Sequence, residues 1–177
     1  MILLIPVGIT GRYILEALVE PLSDIFEDKV TVGERLQPPA GSWAPSRHQY
    51  LAFAIMGALP SPSEASDRVL GILDADLFAP GLNFIFGQAL LNGDKAVISV
   101  TRLREEYYGG TPDEKLFLDR VIKEAVHELG HTYGLAHCPD PKCVMHFSNS
   151  LADTDHKERT FCPPCDIQLS HSRIMYR

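Results

Sequence analysis

The chain has 177 residues and a formal net charge of -7 at pH 7. This length suits one domain that buries about two thirds of the surface its unfolded chain exposes. A hydrophobic fraction of 45% and a charged fraction of 22% exclude the composition of a disordered chain. The acidic balance, without a basic patch, argues against a nucleic acid partner.

The opening segment MILLIPVGI is apolar but short, and Pro6 and Gly8 interrupt it. It lacks the basic residues and the cleavage site of a secretion signal, so it predicts a buried first strand. No other stretch approaches the roughly 18 apolar residues that a membrane helix needs. We therefore expect a soluble, cytoplasmic monomer without a membrane partner.

The first half of the chain predicts strands and helices in alternation. Apolar residues after Gly11 recur at spacings of three and four, which indicates a helix: Ile14, Leu15, Leu18, Leu22 and Ile25. A strand is expected over residues 29–36, then a surface loop (QPPAGSWAPS), then a helix over residues 47–59. Residues 68–73 and 95–103 predict buried strands, and the segment LNFIFGQA between them predicts an edge strand.

A long helix follows, with Thr111 as its N-cap, Pro112 in its first turn and Glu114 completing a capping box. One face is apolar, through Leu118, Val121, Ile122, Ala125 and Leu129. At about 100° per residue, His127 and His131 face away from that stripe. Gly134 can adopt the left-handed conformation that ends a helix.

The segment HELGHTYGLAH has the spacing of a catalytic zinc site. His127 and His131 are one helical turn apart and can bind one ion, and the turn at Gly134 can bring His137 to it. Three protein ligands leave a fourth position for water, from which Glu128 can take a proton as general base. The alternative is a pair of solvated surface histidines, which the added Gly134 and His137 make less favourable.

All four cysteines lie near the C-terminal end of the chain, as two close pairs: Cys138 and Cys143, then Cys162 and Cys165. Four thiolates suit a closed, structural zinc site, and because neighbours in an extended segment point apart, His137 and Cys138 can serve different ions. We therefore expect two Zn²⁺ per chain. Disulfides or idle thiols are the alternative, and a cytoplasmic location disfavours them.

Met145 follows the third histidine closely, and we favour a methionine turn beneath the zinc over simple core filling. Three further histidines and a pair of carboxylates are better explained without a functional role, as solvated or locally bonded groups and as turn or strand-end residues: His146, His156, His171, Asp74 and Asp76.

HELGHTYGLAHC, four residues, CVM and a late CPPC together resemble the linked motif of the archaemetzincins, which are metzincin-type zinc metallopeptidases. The resemblance implies a catalytic zinc on His127, His131 and His137, a structural zinc on the four cysteines, Glu128 as base and Met145 in the methionine turn. It also implies a three-layer α/β/α fold with a mixed, mostly parallel sheet whose edge strand borders the cleft. Residues 1–177 would form a single metallopeptidase domain, with the sheet and active-site helix in 1–134 and a zinc-bound subdomain in 135–177.

The leading hypothesis is a zinc metallopeptidase that acts on a peptide or protein, in an aminopeptidase-like manner as the resemblance suggests. Bacterial ribosome-processing endoribonucleases resemble the three-histidine motif but lack its glutamate, so Glu128 and the acidic balance argue against that alternative. A third hypothesis is an inactive peptide-binding module that zinc only stabilises.

Overall fold

The structure is a computed structural model that describes residues 1–65 and 67–175. The strands are β1 (Ile2–Val7), β2 (Val30–Val32), β3 (Trp43–Ala44), β4 (Gln49–Leu51), β5 (Arg68–Leu73), β6 (Leu77–Phe78), β7 (Gly87–Ala89) and β8 (Lys95–Ser99). The α-helices are α1 (Arg12–Phe26), α2 (Ala52–Ala58), α3 (Glu114–Thr132), α4 (Leu151–His156) and α5 (Pro163–Met175). Two short 3₁₀ turns, Thr101–Leu103 and Glu105–Tyr108, follow β8.

The central sheet has five strands in the order β2-β1-β5-β8-β7. Its first four strands are parallel, and β7 pairs antiparallel with β8 at one edge. A smaller sheet has the order β3-β4-β6. The predicted mixed, mostly parallel sheet is confirmed, and the segment LNFIFGQA contributes the edge strand as expected.

Helices cover both faces of the central sheet, because alternate residues of its inner strands point to opposite sides. On one face, Leu4, Leu70 and Ile98 belong to a core cluster that also contains the apolar residues of α1 and α3. On the other face, Val69 and Val97 pack with Ile55 of α2. The expected three-layer α/β/α architecture is therefore present. Within the described residues, no helix has the length and apolar character to cross a bilayer.

Three predicted elements differ in extent. The second strand covers only Val30–Val32, and Leu36 returns to β1 through a single bridge with Val7. Residues 47–59 are not one helix, because β4 occupies their start and α2 their end. The strand from residue 95 stops at Ser99, where Thr101 turns towards Asp74 to donate a hydrogen bond of 2.9 Å.

The start of α3 was predicted wrongly by two residues. Asp113 is the N-cap, and its carboxylate accepts a hydrogen bond from the Leu116 backbone N–H at 2.9 Å. Thr111 and Pro112 precede the helix as irregular backbone. A carboxylate caps the exposed N–H groups and also interacts favourably with the helix dipole, which explains why Asp113 displaces the capping box at Thr111.

Helix α3 ends at Thr132, and Gly134 terminates it in the left-handed conformation, as the sequence predicts. Gly134 has a φ of 86°, and its N–H donates to the His131 carbonyl at 2.9 Å. The N–H of Leu135 reaches back to the Gly130 carbonyl at 3.1 Å, which completes a Schellman motif. The space beside Gly134 is filled, because a Cβ there would collide with the amide of Asn92.

We predict that Gly134→Ala destabilises the protein more than Gly41→Ala does. Both glycines have left-handed φ values, 86° and 84°, but a Cβ at Gly41 meets no atom within 4 Å. The Gly41 variant therefore reports backbone strain alone, about 1 kcal/mol, whereas crowding against Asn92 adds about 2 kcal/mol at Gly134. Urea unfolding of both variants measures the difference, and equal losses would contradict the packing argument.

Candidate metal centre

The second half of α3 is buried on nearly every side. Its apolar stripe faces the sheet, while His127 and Glu128, exposed by only 4% and 6%, are also enclosed. The polar face is covered by the C-terminal segment, which places Val144 and Met145 against it without solvent exposure. The histidines therefore point away from the apolar stripe as predicted, yet towards another part of the protein instead of solvent.

The structure brings His127, His131 and His137 together. One ring nitrogen from each lies within 4.8 Å of the others, and the Nε2 atoms of His127 and His131 are 3.1 Å apart. Ring centroids are separated by 4.7 to 5.3 Å. The Schellman turn after α3 reverses the chain and returns the third ring to the first two.

Backbone carbonyls orient two of these rings. The Nδ1 atom of His127 lies 2.8 Å from the Val144 carbonyl, and that of His131 lies 2.7 Å from the Leu135 carbonyl. Since a carbonyl accepts hydrogen bonds, each Nδ1 carries the proton and each Nε2 presents a lone pair. His137 packs instead against Phe147, with ring centroids 4.9 Å apart.

This arrangement fits Zn²⁺. In a tetrahedral site with Zn–N bonds of about 2.05 Å, two ligand nitrogens lie about 3.3 Å apart. The observed 3.1 Å between two lone-pair-bearing nitrogens approaches that spacing and would be repulsive between neutral rings of this tautomer without a cation.

The four cysteines form a second, separate group. Their sulfurs lie within 4.8 Å of one another, and those of Cys138 and Cys162 are 3.7 Å apart. Zn–S bonds of about 2.3 Å predict about 3.8 Å between sulfurs of a tetrahedral site. The adjacent residues His137 and Cys138 therefore contribute to different groups, as the sequence predicts.

Glu128 lies beside the histidines, and β7 approaches it closely. A Cβ built on Gly87 would be 2.5 Å from the Glu128 Cγ and 2.7 Å from its Oε1, so only glycine fits there. Burial raises the pKa of Glu128 well above its ordinary value, and the nearby charge of Glu124 raises it further. Gly87 was not recognised from the sequence, although a glycine inside a strand often marks such a close approach.

A cleft of about 400 Å³ opens onto these side chains. Its floor is formed by α3, through Glu124, His127, Glu128 and His131. One wall consists of β7 and the loop before it, with Leu82, Phe84 and Phe86, and the other wall carries His137, Phe147, Ser148 and Asn149. Arg47 fixes the first wall, donating to the Leu82 and Asn83 carbonyls at 2.8 and 2.9 Å.

Met145 is buried directly beneath α3. A Cβ built on Gly130, the residue before His131, would lie 2.5 Å from the Sδ of Met145. Met145 therefore packs in the space that the absent side chain of Gly130 leaves. His146 bonds the Cys138 carbonyl at 2.9 Å and is not part of the histidine group. Asp74 and Asp76 pair with Arg104 and Arg102 at the strand ends, in agreement with their structural interpretation.

Burial determines the ionisation of the histidines. It lowers the pKa of His127 well below its ordinary 6.5, and the positive charge of Lys157 acts in the same direction. Burial also lowers the pKa values of His131 and His137. The three rings are therefore kept in the neutral form that a metal ligand requires.

We predict that the free energy of unfolding of metal-free protein decreases as the pH falls below 6.5, the ordinary histidine value. Above pH 6.5, His127 is neutral in both the folded and the unfolded protein. Below pH 6.5, His127 of the unfolded chain takes up a proton that the folded chain does not. Urea unfolding of chelator-treated protein across this range measures the decrease. His127→Gln should reduce its slope, and an unchanged slope would refute the assignment.

Comparison with known proteins places these features in one family. The model of peptidase family M54 matches residues 13–171. The archaemetzincin of Methanopyrus kandleri is 45% identical over 159 residues, 90% of this chain and 87% of that protein, and that of Pyrococcus furiosus is 41% identical, covering 93% and 90%.

Two solved structures are similar throughout. An archaemetzincin from Archaeoglobus fulgidus, complexed with malonate, has a TM-score of 0.84 at 38% identity and covers 95% of this chain and 99% of its own. A zinc-dependent peptidase from Methanocorpusculum labreanum has a TM-score of 0.85 at 28% identity, covering 96% and 100%. The chain thus belongs to peptidase family M54, the archaemetzincin family of zinc metallopeptidases.

Proposed function

We propose that this protein hydrolyses peptide bonds, with a catalytic zinc held by His127, His131 and His137 and with Glu128 as general base. The observation that carries the proposal is the position of the Glu128 carboxylate, enclosed beside three convergent imidazoles at the floor of a cleft. The cleft is bordered by an edge strand that can receive a peptide.

When bound, zinc acts as a Lewis acid that lowers the pKa of water and polarises a carbonyl group. Glu128 accepts the proton of the attacking water and delivers it to the amine that leaves. The burial that raises its pKa makes the carboxylate a stronger base than an exposed glutamate. Gly87 leaves the space in which this side chain adopts its position.

The substrate is expected to lie along β7 as an added strand. In the described part of the sheet, β7 pairs with β8 on one side only, so its other edge can form backbone hydrogen bonds to an extended peptide. Leu82, Phe84 and Phe147 provide apolar contacts for side chains of that peptide. Among the described residues lining the cleft, none is Lys or Arg, which disfavours an RNA phosphate backbone as substrate.

The cysteine group is proposed to hold a second, structural zinc. This zinc would stabilise the loop that carries Val144, because two of its ligands belong to that loop. Cys143 directly precedes Val144, and the Cys138 N–H donates to the Met145 carbonyl at 2.9 Å. The Val144 carbonyl in turn orients His127. The same zinc would connect this loop to Cys162 and Cys165, which come later in the chain.

Glu128→Gln should abolish peptide turnover, by about 100-fold or more, while both zinc ions are retained. The amide keeps the shape of the side chain but cannot accept the proton. Incubation with a peptide mixture and with structured RNA, with and without chelator, measures activity, and peptides with free or blocked N-termini test aminopeptidase-like action. Cleavage of RNA but not of peptides would favour the nuclease hypothesis. If the wild type cleaves neither, the peptide-binding module is favoured. If the Glu128→Gln variant loses one zinc ion, Glu128 is a zinc ligand instead of the general base.

We predict two zinc ions per chain, with distinct effects of removing their ligands. Replacing Cys162 and Cys165 by Ser should lower thermal stability strongly and expose the C-terminal segment to proteases, because zinc binding there is coupled to folding. His137→Ala should mainly reduce activity. Metal analysis, thermal melts and limited proteolysis provide the measurements. A histidine variant less stable than the double cysteine variant would contradict this division of roles.

A further inference from the structure

A buried ion pair lies beside the histidine group, and the proposed mechanism does not use it. The Nζ atom of Lys157 is 3.0 Å from Oε1 of Glu124, and their side chains are exposed by 0% and 3%. Thr154 also donates to the same carboxylate oxygen, at 3.3 Å. Removing two charges from water is costly, and such pairs often contribute little net stability, so a role beyond folding has to be considered.

The carboxylate of this pair belongs to the same helix face as the zinc ligands. Glu124 precedes His127 by three residues and His131 by seven, and these spacings align side chains along one stripe of a helix. Glu124 also lines the cleft together with both histidines. Its negative charge therefore borders the same cleft as the histidine group.

The ammonium comes from the C-terminal segment. Lys157 directly follows α4, between the two cysteine pairs, and its charge acts on all three histidines. Within the described residues, Nζ has no hydrogen-bond acceptor of good geometry, so the Glu124 carboxylate is the group that offsets its charge.

We propose that Glu124 and Lys157 set the zinc affinity of the histidine site as opposing charges, with Lys157 as a positioning residue that keeps the Glu124 carboxylate from becoming a fourth ligand. The inference rests on the zinc site of the proposed function but does not require peptide hydrolysis. It predicts effects of opposite sign: the carboxylate alone attracts the dication, and the ammonium alone repels it.

Zinc affinity of the histidine site tests this directly, by competition with a chromophoric chelator at a mildly alkaline pH, on protein whose cysteine site remains loaded. Glu124→Gln should weaken zinc binding about tenfold and Lys157→Met should strengthen it about tenfold, as expected for one unit charge at short range in a partly polar interior. The double variant should return to within about threefold of the wild type, because it removes both charges. In Lys157→Met, tighter binding should be accompanied by slower turnover, since the freed carboxylate occupies the open position.

Two controls separate this role from simple docking of α4. Lys157→Arg keeps the charge and should retain the wild-type affinity. The swapped variant, Glu124→Lys with Lys157→Glu, keeps an ion pair but places the ammonium on the cleft face, so its zinc binding should weaken at least about tenfold. Because the ion pair is kept, this variant remains a test if one of the single variants does not fold.

Weaker zinc binding in both single variants, or an unchanged affinity in the swapped variant, would overturn the inference and leave the pair as a docking contact. A wild-type histidine site that binds no zinc would instead refute the proposed function itself, so the two failures are distinguishable.

Discussion

The architecture of the site depends on the burial of α3 from two opposite sides. A helix that packs only on a sheet can leave its polar face in water, but here that face lies beneath the C-terminal segment. Buried polar groups require partners, so the segment supplies them in the form of backbone carbonyls and charged side chains. The Val144 carbonyl fixes the ring of His127, and the ammonium of Lys157 faces the carboxylate of Glu124.

A ladder of ion pairs continues this interface along α3, away from the histidines. Arg120, whose side chain is 3% exposed, contacts Asp155 of α4 and Glu105 at 2.6 Å each. Arg159 pairs with Asp119, the residue that directly precedes Arg120 in α3. Because such pairs are directional, they set the rotation and position of α4 against α3 more narrowly than apolar contacts would. The ion pairs between α3 and α4 therefore also restrict the position of the loop between Met145 and α4.

The parts of the structure that depend on local spacing could be predicted from the sequence. His127 and His131 share a face because they are one turn apart, and Gly134 ends the helix through its own backbone freedom. Secondary structure was predicted less successfully where it depends on contacts between residues that are distant in sequence. Gln49 is in a strand that pairs with β3 and β6, and its side chain bonds Asp76 and the Asn83 carbonyl, contacts that no local pattern reveals.

The same limit applies within the candidate site. Cleft residues were recognised where a motif marks them, as with Glu128, but Gly87 and Lys157 acquire their significance from contacts across the fold. The N-cap of α3 illustrates a different limit. Thr111 and Asp113 both have capping side chains, and the structure uses Asp113, whose carboxylate also interacts favourably with the helix dipole.

The close contact between His127 and Val144 has a consequence for the order in which the protein is made. A ribosome releases the residues of α3 before the loop that orients them, and Cys162 and Cys165 emerge later still. Until that last pair is made, the four-cysteine group beside the loop that carries Val144 is incomplete. The loop that orients His127 is thus enclosed by the complete cysteine group only after Cys162 and Cys165 have been made, and chains that stop before them carry the histidine motif without that enclosure.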